Sequence, residues 1–193
     1  MTRARDIANF GDGIVTADID DGAVTAGKLN STLDLSSKTI TGIPTTNECA
    51  IYIRNFGASV DGGSSSSGWN TIPLNTELLD NIGASISSSE ITLPAGTYYC
   101  TGFCQAYRTD RAGCRLRDTT NSVTLMTGGA TYGDSPNNVN SHAYLNGTMT
   151  LSAETSFYFQ YYITTALAGN GFGVRPNNGE SWQQSYLNIW KIA

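Results

Sequence analysis

The chain has 193 residues, of which only 14% are charged, and its net charge is −5; globular chains average about 25% charged residues. So acidic and charge-poor a chain is not a nucleic-acid binder held by clustered Lys and Arg, and none of its apolar runs reaches the ~20 residues of a membrane helix. Twenty-one Gly, ten Tyr and three Trp fit an all-β protein with many turns and large aromatic contact areas.

In chain order, the run Met1-Thr2-Arg3-Ala4-Arg5-Asp6 carries no apolar signal core. Synthesis in a cytoplasm without a signal peptide is the expectation. Within residues 1–13, Ala4, Ile7, Ala8 and Phe10 lie near helical spacing, and Gly11 and Gly13 would end the helix. A lone helix of this length is marginal in water. Ile7 and Phe10 are therefore expected to dock on a partner, as an N-terminal anchor.

Residues 14–48 carry single apolar residues, Ile14, Ile19, Val24, Leu29, Leu33, Leu35, Ile40 and Ile43, among Thr, Ser, Asp, Gly and Ala. That pattern is too sparse to close a core within one chain. Three copies winding together would bury those residues along a common axis, which predicts an extended trimeric stem. The alternative is disorder.

From Cys49 the pattern becomes dense, and residues 49–193 read as a head. Cys49, Ile51 and Ile53 alternate with Ala50, Tyr52 and Arg54 as a first strand. Trp69 to Thr76 is a second β-run, and Leu78 to Ile86 fits either one helical turn or an irregular strand. Ile91-Thr92-Leu93-Pro94-Ala95-Gly96-Thr97-Tyr98-Tyr99-Cys100 reads as a hairpin, with Pro94 and Gly96 suited to its turn. Cys114 to Asp118 and Val123 to Met126 form another hairpin. Asn146-Gly147 is a hairpin signal, but its flanks are short, and Ser141 to Leu151 is read as one bulged strand.

Ser156 to Thr165 places Phe157, Phe159, Tyr161 and Ile163 on one face and Tyr158, Gln160 and Tyr162 on the other. The last strand repeats this, with Leu187 and Ile189 against Tyr186, Trp190 and Ile192. Aromatics on both faces imply burial on both. One face meets a second sheet; the other needs a partner. Tyr158, Tyr162, Tyr186 and Trp190 are thus the expected interface of a homotrimer, with cover by the chain's own loops as the alternative. In all, about eight to ten strands separated by Gly, Asn and Ser turns make a β-sandwich or jelly roll.

Chemistry is sparse. One His, His142, cannot complete a zinc site with Cys49, Cys100, Cys104 and Cys114 at their spacing, so no metal and no cofactor are expected. Cys100 and Cys104, four apart on a strand, stand roughly 13 Å apart and cannot bond to each other. The cysteines read as small buried hydrophobes, or else as cross-strand disulfides. His142 follows a polar loop rather than a pocket wall, so Ser-His-Asp catalysis is not expected. Glu77, Glu90, Glu154 and Glu180 sit at turns or strand ends, unlike paired glycosidase carboxylates. Arg108, Arg111, Arg115 and Arg117, interrupted by Asp110 and Asp118, read as a charged hairpin rim. Candidate binding loops are Asp61 to Gly68, Gly128 to Asn140 and Ala166 to Gly171. Tyr132, Asn137 and Asn138 carry the aromatic and amide groups that a host-surface glycan would use.

Several blocks keep a familiar order: Gly68-Trp69-Asn70-Thr71-Ile72-Pro73-Leu74-Asn75-Thr76, Ile91-Thr92-Leu93-Pro94-Ala95-Gly96-Thr97-Tyr98, Arg115-Leu116-Arg117-Asp118-Thr119-Thr120, Leu145-Asn146-Gly147-Thr148-Met149-Thr150-Leu151, Phe172-Gly173-Val174, and Leu187-Asn188-Ile189-Trp190-Lys191-Ile192. Together they resemble the C-terminal domains of tailed-bacteriophage virion proteins, often described as tail fibres. Those domains are similar to the trimeric jelly roll of the C1q and tumour necrosis factor class. The segment from Gly13 to Leu29 also resembles repeats near the start of phage fibre proteins, here cut short. The resemblance implies a homotrimer located in the virion, anchored to another virion protein through residues 1–44. It implies a fibre or receptor-binding tip, with a head-decoration protein of the capsid as the alternative and a polysaccharide-degrading spike behind both. It supplies no catalytic motif.

Overall fold

The computed structural model describes residues 48–56 and 61–192. The expectations for the anchor residues Ile7 and Phe10 and for the stem fall outside the described residues, but for Glu48. Among the described residues the chain forms eleven strands and no helix: β1 Cys49–Phe56, β2 Gly68–Thr71, β3 Thr76–Asp80, β4 Ser85–Ser87, β5 Glu90–Leu93, β6 Gly96–Tyr107, β7 Asp110–Asp118, β8 Thr124–Gly133, β9 Asn140–Leu151, β10 Thr155–Ile163 and β11 Trp182–Lys191. A five-stranded sheet runs β3-β1-β11-β6-β9, and a six-stranded sheet runs β4-β5-β10-β7-β8 with β2 added against β10. All strand pairs are antiparallel. The fold is an all-β jelly-roll sandwich, as the sequence predicts. The count exceeds the expected one because the runs around Trp69 and Leu78 break into the short strands β2, β3 and β4.

Period-two alternation places the core. Phe157, Phe159, Tyr161 and Ile163 of β10, Tyr98, Cys100 and Cys104 of β6, and Leu187 and Ile189 of β11 are all buried in one cluster between the sheets. A phenol in that layer needs a partner: the Tyr161 hydroxyl shares a 2.9 Å hydrogen bond with Thr109 Oγ1. Gly102 lets β6 approach β11, since a Cβ there would lie 2.7 Å from the Tyr186 carbonyl oxygen.

The segment around Pro94 is not a hairpin. β5 pairs with β4 and β10, whereas β6 pairs with β11 and β9. Pro94-Ala95 is thus a corner that carries the chain from one sheet to the other. Ile91 and Leu93 then face the core from one side and Tyr98 and Cys100 from the other, and all four are fully buried. The Tyr98 hydroxyl donates to the Pro94 carbonyl at 2.9 Å and pins the corner.

Asn146-Gly147 makes no turn, and β9 pairs with β6 in an unbroken register from Gly96↔Leu151 to Tyr107↔Asn140, so the expected bulge is also missing. Gly147 packs beneath Met126, which a Cβ would approach at 3.4 Å. Asn146 Oδ1 accepts from the Tyr99 hydroxyl at 3.2 Å. The hairpin formed by β7 and β8 is present as expected. Its loop is braced by Asp118, whose carboxylate accepts from Asn121 Nδ2 and from the backbone N–H groups of Thr120 and Asn121. Those hydrogen bonds, led by the Asn121 side chain, hold its pKa below the usual range.

The four cysteines are free and buried. They act as small hydrophobes, and the disulfide alternative is not realised. Burial pushes the Cys100 thiol up to about 12, so little reactive thiolate forms.

Candidate functional site

Successive strand residues point to opposite faces, so the residues between those of the core form two outer surfaces. On the five-stranded sheet, registers Tyr99↔Trp190, Phe103↔Tyr186 and Phe103↔Tyr144 place aromatic side chains side by side across β11, β6 and β9. Tyr99 and Trp190 lie 5.7 Å apart, ring centre to ring centre, and Phe103 meets Tyr186 edge-on at 4.7 Å. Phe103 also meets His142 edge-on at 5.2 Å, with Tyr144 at 6.3 Å. Offset and edge-on contacts of this kind are the favoured geometries of aromatic pairs. Ile51 and Ile53 of β1 continue the surface through Ile53↔Tyr186 and Ile51↔Asn188.

The outward positions of β1, β6, β9 and β11 hold no Asp, Glu, Lys or Arg. The one side chain on this face that changes charge near neutral pH is His142, and burial lowers its pKa from 6.5. Tyr99, Phe103, Tyr186 and Trp190 are half-buried by one another, while Tyr144 is 60% exposed. An uncharged aromatic surface of this extent is the composition of an interface centre.

The opposite surface, on the six-stranded sheet, differs. Tyr158 and Tyr162 lie here, across the sandwich from Tyr186 and Trp190. The four residues expected to form one interface are therefore divided between two faces. They share a pattern in sequence, but β10 and β11 belong to different sheets. Tyr162 meets Trp69 edge-on at 5.3 Å. The Arg115 guanidinium lies 3.7 Å from the Trp69 ring centre, and its Nε donates to Gln160 Oε1 at 2.9 Å. Arg115 thus stands within the sheet face rather than on a rim, whereas Arg117 pairs with Thr124 at the hairpin end of β7, where the rim reading puts it. Arg108 does sit at the turn after β6, where its Nε donates to the Ser135 carbonyl at 2.8 Å.

The expected glycan residues are not brought together as a platform. Tyr132 is an exposed residue of β8, paired with Arg111. Neighbouring Asp110 raises its pKa. Asn137 donates to Asp134 at 2.6 Å, and Asn138 accepts from the Tyr107 hydroxyl at 3.2 Å. The Asn137 amide braces its own loop, and Asn138 ties that loop to the end of β6. Of the expected binding loops, Asp61 to Gly68 and Ala166 to Gly171 are zipped to each other. Ser65 and Leu167 exchange N–H···O=C bonds of 2.9 and 3.1 Å, and Gly63 donates to Gly169 at 2.7 Å.

Among the described residues no group of three or more His, Cys, Asp and Glu could hold a metal ion, and no helix is long and apolar enough to cross a membrane. His142 has rings for neighbours, Phe103 and Tyr144.

Three crystal structures of murine APRIL are similar to this chain. Those at pH 8.5, 5.0 and 8.0 give TM-scores of 0.47, 0.49 and 0.46 at 12%, 11% and 12% identity. Each alignment covers 75% of this chain and 98–99% of the other. The sandwich is defined by its own strand pairing, independently of these likenesses. No family model matches the sequence, and no curated protein matches it.

Several residues of the two faces escaped the sequence reading: Tyr99, Phe103 and Tyr144 on one, Trp69 and Arg115 on the other. For the first group a signal existed. Strict alternation along β6, with Tyr98, Cys100, Gly102 and Cys104 inward, leaves Tyr99 and Phe103 outward.

Proposed function

We propose that the chain is a non-enzymatic, homotrimeric virion protein of a tailed bacteriophage whose jelly-roll head forms a host-attachment tip. The observation that carries the self-association is the uncharged aromatic face around Phe103, Tyr186 and Trp190. A Trp or Tyr buries about 150–250 Å² when covered, and a face this rich in rings gains most from a copy of itself. The ordered sequence blocks and the shortened stem repeat support the virion location. Three weak ligand sites on one trimeric body gain by multivalency, which suits attachment.

Sedimentation equilibrium of the full chain at micromolar concentration tests the oligomer. A mass of three chains is expected, and a monomer mass overturns the reading. Immunogold labelling of particles tests the location: label at the tail is expected, and label on the capsid faces would establish the decoration protein instead.

A further inference from the structure

We propose that Arg115 and Arg117, beside Trp69 and Tyr162 on the outer face of the six-stranded sheet, bind an acidic polysaccharide. A sugar carboxylate would lie between the two guanidiniums and the C–H face of the sugar against the two rings. The proposal deepens the attachment reading, since it names the ligand class and the surface that takes it.

The two guanidiniums are close neighbours, because Nη1 of each reaches the same acceptor, Thr124 Oγ1, at 3.4 and 3.5 Å. Like charges held together are unfavourable unless an anion joins them. Among the described residues no carboxylate of the face does so. Glu90 lies on β5, with the β10 residue Tyr158 in register between it and Arg117. Two strand spacings, roughly 10 Å, therefore separate their backbones. Asp118 is buried with its carboxylate hydrogen-bonded to its own loop. Of the causes that lower its pKa, the Asn121 side chain is the largest and Arg117 the smallest, so it attracts Arg117 only weakly. The ion pair found among the described residues, Asp61 with Arg175 at 3.5 Å, is elsewhere.

The site is also pre-organised. The Trp69 ring and Gln160 Oε1 fix the plane of the Arg115 guanidinium. Of the five N–H donors of an arginine, Arg115 uses one on Gln160 and one on Thr124, and the others are left for a ligand. A fixed planar fork matches a carboxylate and loses little freedom on binding. The rings explain why the anion belongs to a sugar. Trp69 is 42% and Tyr162 37% exposed, and they meet edge-on at the margin of the arginine pair. Two arginines are too few for a polyphosphate, whose binding rests on many backbone contacts, and the net charge of −5 leaves binding to depend on the local pair and the rings.

The test uses the full chain in calorimetric titrations with polygalacturonate, neutral dextran and double-stranded DNA. Polygalacturonate is expected to bind, and dextran and DNA are not. Arg115→Gln with Arg117→Gln should weaken binding about tenfold or more, and Tyr162→Ala and Trp69→Leu severalfold each. Thermal melting of each variant should show the head still folded; should Trp69→Leu fail to fold, Tyr162→Ala carries the aromatic arm alone. No binding by the wild type, equal binding of DNA or dextran, or undiminished binding by the double arginine variant overturns the proposal. So does a loss of oligomer mass in that variant, which would assign the face to a second copy of the chain. A trimeric, tail-located protein that ignores polygalacturonate overturns this site and leaves the attachment reading standing. A monomer that binds polygalacturonate through these residues does the reverse.

Discussion

The two outer faces of the sandwich are built by the same alternation and end with opposite chemistry. Across β1, β11, β6 and β9 the five-stranded face carries rings and aliphatics with no formal charge apart from what His142 can acquire. The six-stranded face carries rings too, but Arg115 lies over Trp69 and Arg117 beside it. Water solvates a guanidinium well and a phenyl ring poorly, so the first face would gain from a copy that excludes water, as proposed above. The second can stay wet until an anion arrives. An aromatic count alone would rank the two faces as equals; the arginines separate them.

The largest effect that bears on the comparison comes from what both faces share. Phe159→Ala removes a fully buried ring between the sheets, and the expected cost is about 3–5 kcal/mol in chemical denaturation. Both assembly and polysaccharide binding should fail together, and a variant that loses only one would show that the faces do not depend on a common core. Next comes Trp190→Ala. It should weaken assembly by about 2 kcal/mol or more, read as a rise in dissociation constant by sedimentation, with the melting of the isolated head less affected. Tyr162→Ala is its counterpart, and oligomer mass should stay unchanged. If Tyr162→Ala dissociates the protein as readily as Trp190→Ala, the division of the faces is wrong.

A smaller effect is expected at Trp69. Removing its ring forfeits a surface cation–π contact, worth about 0.5–1 kcal/mol, so Trp69→Leu should shift the denaturation midpoint slightly. The smallest effect concerns pH. His142 has a folded pKa below 6.5 because burial disfavours its charged form. Below pH 6.5 the unfolded chain binds a proton that the folded chain resists, so stability should fall as pH drops from 6.5 through the lowered value. Above 6.5 the group is neutral in both states and contributes no pH dependence. His142→Gln should flatten this part of the profile, and an unchanged profile would remove His142 as its source.

Much of the fold was legible from single-strand patterns. Phe157, Phe159, Tyr161 and Ile163 were read as one face of a strand, and all are buried. Leu187 and Ile189 likewise fell inward, with Tyr186 and Trp190 outward. The candidate site was legible only in part. Tyr186 and Trp190 were read as outward because a strand with aliphatics on one face and rings on the other stands out. Arg115 was read as part of a rim with Arg117 because nothing local to β7 tells an arginine at a strand end from one in the middle of a sheet.

What the residues alone determined is which side chains share a face of each strand, because the backbone turns every second residue the same way wherever the strand lies. What only the tertiary structure decided is which sheet each strand joins. Pro94-Ala95 is equally fit to close a hairpin or to turn a corner, and the choice rests on Tyr98, Ile91 and Leu93 meeting across the core. That choice is made by contacts far apart in sequence, and it separated Tyr158 and Tyr162 from Tyr186 and Trp190. Pairing over such distances leaves no periodic trace in the chain.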